Sequence, residues 1–184
     1  MKVVNGMTAA LLVSLVPVMS LSAAQPAAPA AAPTPAQLTG LTAQQALRKA
    51  NQWRNAGGVQ SFVTSEAVVF KFPSGEQKSV ALPARQMVIA IAPYVNQTHP
   101  CKTHFMSGCQ GELANTPVSV LVKNQAGKTV INKTMTTLPN GFLELWLDRN
   151  QTYQVTLKSG GKATSGTLST QAGSDTCVST LKLQ

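Results

Sequence analysis

Residues 98–113 read THPCKTHFMSGCQGEL, and the fold turns on what this stretch joins. Downstream, the chain is a series of short alternating segments. TPVSVLVKN (116–124) and KTVINKTMTT (128–137) flank QAG, a hairpin turn. GFLELWLD (141–148), TYQVTLKS (152–159), KATSGTLST (162–170) and TCVSTLKLQ (176–184) follow at short intervals. Regularly spaced strands with Gly and Asn turns predict a β-sandwich. Val118, Val120 and Val122 alternate, as do Leu143, Leu145 and Leu147, which marks one buried face on each strand. Cys177 falls on the last of these segments.

Upstream, the period is different. LTAQQALRKANQWRNAGG (41–58) predicts a helix. Thr42 is an N-cap with Gln45 three residues on, Leu47 and Trp53 lie on the apolar stripe, and Gly57-Gly58 stop it. QSFVTSEAVVFKF (60–72), a PSGE turn, KSVAL (78–82) and QMVIAIAPYV (86–95) read as three strands. This unit of some 55 residues is marginal alone, so it must pack on the next domain or on a copy of itself. The fold class is therefore α+β: a small N-terminal helix-plus-antiparallel-sheet unit over 40–97, a candidate dimerisation domain, then a cysteine-containing crossover and β-sandwich over 98–184.

The first 39 residues set the compartment. One early Lys2, no acid, an apolar run from Met7 to Leu21 and then Ser22-Ala23-Ala24 make residues 1–24 a cleavable signal peptide. The apolar run is short of the roughly 20 residues a membrane span needs, and no stop-transfer charge follows. No cysteine lies at the cleavage site, which argues against a lipoprotein. QPAAPAAAPTPAQ (25–37) is Pro/Ala-rich and favours extended, core-free conformations, so residues 25–39 read as a linker. The expected location is the periplasm, with no membrane insertion after cleavage.

Fifteen basic residues against six acidic ones give a net charge of +9 at pH 7. The basic residues are scattered singly, without runs or aromatic interleaving, so nucleic acid is not the expected partner. Only Glu66, Glu76, Glu112, Glu144, Asp148 and Asp175 carry side-chain carboxylates, and no serine sits in a GxSxG elbow, which argues against a conventional hydrolase.

The crossover concentrates chemistry. It holds two of the three cysteines, both histidines and one of six methionines. In an oxidising compartment three cysteines allow at most one disulfide, and the spacing leaves the pairings 101–109, 101–177 and 109–177 open. A helix would hold the Cα atoms of Cys101 and Cys109 roughly 12 Å apart and a strand roughly 26 Å. A disulfide needs about 4.4–6.8 Å. If those sulfurs act together the chain must fold back, and Ser107-Gly108 supply the freedom. Cys101 and His104, three apart behind Pro100, fit one face of a helical turn. A plain disulfide, a metal site and a redox thiol all fit this spacing. Three thiolates, an imidazole and a thioether form a soft donor set suited to Cu(I) or Zn. The close ligand pairs of a structural zinc site are absent, which favours copper. Thiolates meeting Cu(II) can also reduce it as a disulfide forms. A thioredoxin-type enzyme would carry CxxC, which is missing.

The segment THPCKTHFMSGCQGEL, the export signal and the single late cysteine in DTCVSTL together resemble the periplasmic copper-binding CueP family of enteric bacteria. The resemblance spans essentially the whole mature chain, and the Pro/Ala tether is longer than the family pattern needs. It implies that Cys101, Cys109 and Cys177 bind copper as Cu(I). It further implies a role in copper tolerance, transfer to the periplasmic copper–zinc superoxide dismutase, and Cu(II) reduction. A thioredoxin-like thiol–disulfide exchange protein as reductant and a homodimer formed through the N-terminal part are also implied. His104 joins the metal set from its Cys-x-x-His spacing, with His99 a weaker candidate and Met106 a packing residue. The alternatives are an exported sandwich with one stabilising disulfide, acting as a structural or interaction protein, and a thiol–disulfide redox partner.

Overall fold

Among the described residues ten strands and one α-helix build three layers, and the middle layer positions the site. The computed structural model describes residues 32–184 together with Met1 and Lys2; the expected signal peptide and most of the linker lie outside the described residues. Helix α1 (Ala43–Gln52) is capped as expected: the Thr42 hydroxyl accepts from the Gln45 N–H, and the Gln45 side chain accepts from the Thr42 N–H. Its buried residues, Ala43, Ala46, Leu47 and Ala50, fall at helical spacing. They pack on a three-stranded antiparallel sheet of β1 (Gln60–Val63), β2 (Ala67–Lys71) and β3 (Gln77–Ala81).

The second sheet is β10 (Cys177–Val178), β4 (Gln86–Ile91) and β7 (Leu143–Asp148), with β4 in the middle. The third runs β6 (Thr129–Thr136), β5 (Pro117–Asn124), β8 (Thr152–Ser159) and β9 (Lys162–Ser169). Alternation now has a spatial meaning. Met87, Ile89 and Ile91 of β4 and Leu143, Leu145 and Leu147 of β7 face Val118, Val120, Val122, Val155, Leu157 and Leu168, closing the expected sandwich core. The intervening residues point to the other side. Val88 and Trp146 meet the α1 layer, while Ala90 and Ala92 border a small third cluster with Cys109, Phe142 and Cys177. Strand β4 is buried on both faces, which is why QMVIAI is a continuous apolar run and not an alternating one.

Four expectations change. The chain does not part at residue 97: β4 pairs antiparallel with β7 along six residue pairs, and residues 32–184 form one compact unit. The small N-terminal unit thus gains its missing burial from the sandwich itself. The segment 60–72 is not one strand but the β1–β2 hairpin, because the Thr64 hydroxyl accepts from the N–H groups of Glu66 and Ala67 and bends the chain. The last segment is a strand only at Cys177–Val178, parallel to β4. Ser179 is drawn aside to bond residues 98–99, and Leu181 and Leu183 then return to the sandwich core. Finally, the linker's end is structured: Pro35–Leu38 forms a 3-10 turn, with the Thr34 N–H donating to Gln37 Oε1 and Leu38 buried beside α1.

Candidate metal centre

The crossover does fold back on itself, but not as a helix. Phe105 begins a tight turn, its carbonyl accepting from the N–H of both Gly108 and Cys109. His104, just before it, is held as an extended bridge to Val63 at the end of β1, whose N–H donates to the His104 carbonyl at 2.9 Å. The helical turn expected for Cys101 and His104 is therefore absent. The tertiary pull of β1 wins over local spacing.

Each donor is fixed by a different element. Cys177 opens β10 beside Ala90. Its N–H and that of Thr176 both donate to the Lys102 carbonyl, tying the last segment to the crossover. The buried Thr176 hydroxyl donates to the Val63 carbonyl at 2.7 Å and accepts from the His104 N–H at 3.1 Å. One threonine thus links β1, His104 and Cys177. Two residues past Cys109, Gly111 lies backbone to backbone against Gly141: a Cβ on Gly141 would meet the Gly111 backbone at 2.7 Å. That contact seats the turn on the 138–142 loop, with Phe142 fully buried beneath it.

The sulfurs converge. Cys101 and Cys177 are joined as a disulfide with a Cα separation of 5.6 Å, the pairing across 76 residues of sequence. Cys109 is a buried free thiol whose Sγ lies 3.5 Å from that of Cys101. Two overlapping donor sets follow among the described residues, each with its ligand atoms within 4.8 Å of one another: His104, Cys109 and Cys177, all buried, and His99, Cys101 and Cys109, of which the first two are half-buried. The expected donors Cys101, Cys109, Cys177 and His104 thus lie together, and His99 lies with them. Met106 is fully buried in the α1 core, a packing residue.

Electrostatics favour charge at the centre. His104 is entirely buried, and burial alone would push its pKa down; the Cys109 sulfur and the Glu144 carboxylate more than offset this and hold it above the ordinary value. Burial would raise Cys109, but His104, the Phe105 N–H at 3.4 Å and Arg54 bring its pKa below the ordinary thiol value. Glu144 Oε1 lies 3.3 Å from His104 Nε2, a contact and not an aligned hydrogen bond, since neither ring nitrogen has a well-directed partner among the described residues. A buried imidazole with two unsatisfied nitrogens is the kind of group a metal ion completes.

Glu144 was not singled out from the sequence. It sits on β7 between Leu143 and Leu145, on the face turned away from the sandwich, and accepts a 2.8 Å bond from Asn51 of α1. Its only signal was an acid at an alternating position in an apolar strand. Thr176 and Arg54 gave no sequence signal for a place at the site.

Comparison with known proteins places this arrangement. The family model of the periplasmic copper-binding protein CueP matches residues 44–182. The crystal structure of S.CueP is similar at 30% identity with a TM-score of 0.74, over 81% of this chain and 92% of that one. Among curated proteins none matches.

Proposed function

The chain belongs to the CueP family of periplasmic copper-binding proteins, and on that premise we propose that it holds copper as Cu(I) on Cys101, Cys109 and Cys177 with His104. The observation that supports the ligand set is the convergence of three sulfurs and an unsatisfied buried imidazole. Thiolate sulfur suits Cu(I), and two or three such donors suffice for it. The donors fit once the Cys101–Cys177 bond is reduced, which frees two further thiolates beside Cys109.

The same chemistry gives Cu(II) reduction. Two Cu(II) ions each take one electron from a pair of cysteine thiols; a disulfide forms and two protons leave. Cys101 and Cys177 are already joined in the described state, the product side of that step. Turnover then requires an outside reductant, and a thioredoxin-like thiol–disulfide exchange protein has the right chemistry. Export by residues 1–24 would put the protein in the periplasm, where copper–zinc superoxide dismutase is the expected recipient. Dimerisation through residues 40–97 completes the proposal.

Competition for Cu(I) against a chromophoric chelator, on fully reduced protein, tests the reading. Tight binding should vanish in the variant C101S/C109S/C177S; unchanged binding there would overturn it. The disulfide itself favours a second reading, an exported sandwich stapled by one bond with an inert buried thiol. On that reading Cu(I) leaves the melting temperature where it was.

A further inference from the structure

The two donor sets differ in one respect that the ligand list alone does not show. They share Cys109, but one faces outward and the other is buried. His99 and Cys101 are half-buried, whereas His104 and Cys177 are buried and the Phe142 ring lies 4.4 Å from that of His104. A cavity of about 610 Å³ opens on His99, Arg54, Phe105 and Cys109. A second of about 320 Å³ reaches His99 from the other side, through Gln97 and Glu112. His104 lines neither cavity; Cys177, with Cys101, lines a third of about 300 Å³ beside Ser179, which does not reach His104 or Cys109.

The position of His99 is built into the fold. The Ser179 hydroxyl donates to the His99 carbonyl at 2.6 Å, and the Thr98 hydroxyl donates to the Ser179 carbonyl at 2.6 Å. Ser179 lies two residues past Cys177, so the segment that sets the inner sulfur also sets the outer imidazole. On the other flank, the Glu112 carboxylate accepts from the N–H groups of Val95, Asn96 and Gln97 and pins the approach to His99.

We infer that His99 is the entry ligand of a two-station copper path, resting on the copper-binding reading above. In reduced protein Cu(I) first engages His99, Cys101 and Cys109 at the outer station. It then moves inward while Cys101 and Cys109 stay bound: the bond to His99 nitrogen breaks, and bonds to His104 nitrogen and Cys177 sulfur form. The ion keeps its oxidation state and no proton is needed if the cysteines are thiolates. Release runs the path backwards. The two stations lie within one thiolate's reach, so the ion need never pass through an uncoordinated state. Oxidation to the Cys101–Cys177 disulfide removes a sulfur from each station at once, closing the path as well as weakening the site.

The test separates rate from affinity. Reduced wild type, H99A, H99M and H104A are compared in two measurements. The first is equilibrium competition for Cu(I) against a chromophoric chelator. The second is stopped-flow transfer of Cu(I) to and from that chelator. H99A should keep its equilibrium affinity within about threefold and exchange copper about tenfold more slowly in both directions, since a lost entry contact acts on rates. H99M, whose thioether also binds Cu(I), should recover most of the rate. H104A should lose affinity. Unchanged rates in H99A overturn the entry role. An affinity loss in H99A equal to that in H104A also overturns it, because the donors then form a single centre. If wild type itself fails to bind Cu(I), it is the copper reading that falls.

Discussion

The two faces of β4 show how one strand serves two purposes. On one face stand Met87, Ile89 and Ile91, large and fully buried in the sandwich core. On the other, two residues away at most, stand Ala90 and Ala92 beside Cys109 and Cys177. The first face fills the sandwich core with large side chains, and the second, with small ones, makes room for the cysteine cluster. Strand alternation delivers both from a single run of apolar letters. The lesson is that the sandwich is the rigid wall and the cysteine cluster is a small chamber hung on its back, roofed by the crossover and by α1 through Asn51 and Glu144.

This contrast can be broken from either side. The largest effect on folding should come from the sandwich face: Ile89→Ala removes a fully buried side chain and should destabilise by about 2–5 kcal/mol in chemical denaturation, while folded protein keeps its Cu(I) affinity. Reducing the Cys101–Cys177 bond should cost about 4 kcal/mol, as expected for a closed loop of this length, and Cu(I) added to the reduced protein should restore much of the lost melting temperature. On the chamber face, Ala90→Leu should cost about 1–3 kcal/mol by overpacking and should also impair copper binding, which Ile89→Ala does not.

Glu144→Gln sharpens the contrast further. It keeps the shape of the side chain but removes the carboxylate beside His104, and Cu(I) affinity should fall by about 10- to 100-fold with little change in stability, read by chelator competition. The smallest effect lies outside the chamber. The N–H groups of Asn96 and Val95 hold the Glu112 carboxyl down at about 2, against an ordinary 4.5. Because the folded-state value is depressed, its contribution is complete above about pH 4.5 and is lost as pH falls toward about 2. An NMR titration of Glu112 with the amide shifts of Val95–Gln97 should show that midpoint; a midpoint near 4.5 would mean the loop is not pinned.

What the sequence made legible follows range. The Thr42–Gln45 cap, the Val118–Val122 and Leu143–Leu147 alternation and the fold-back at Ser107-Gly108 are local, and each appears as read. The convergence of His104 with the cysteines was also reachable, although by a β-bridge and not by a helical turn. Illegible were the pairings that join distant segments. Nothing local tells that Gln86–Ile91 sits between residues 143–148 and 177–178, or that Asn51 reaches Glu144 across 93 positions. Thr176, which ties Val63 to His104, is an unremarked threonine until the fold is known. The choice among three disulfide pairings likewise depended on where β10 lies.

The measurement that bears most directly on the central claim compares one preparation in two redox states. Cu(I) competition is run on fully reduced protein and on protein whose Cys101–Cys177 bond is intact, with a thiol count confirming each state. The account predicts tight binding of Cu(I) by the reduced form and a large loss in the oxidised form, which retains Cys109 as its only free thiol. Equal affinity in both states would contradict it, since the three sulfurs would then not act as one site.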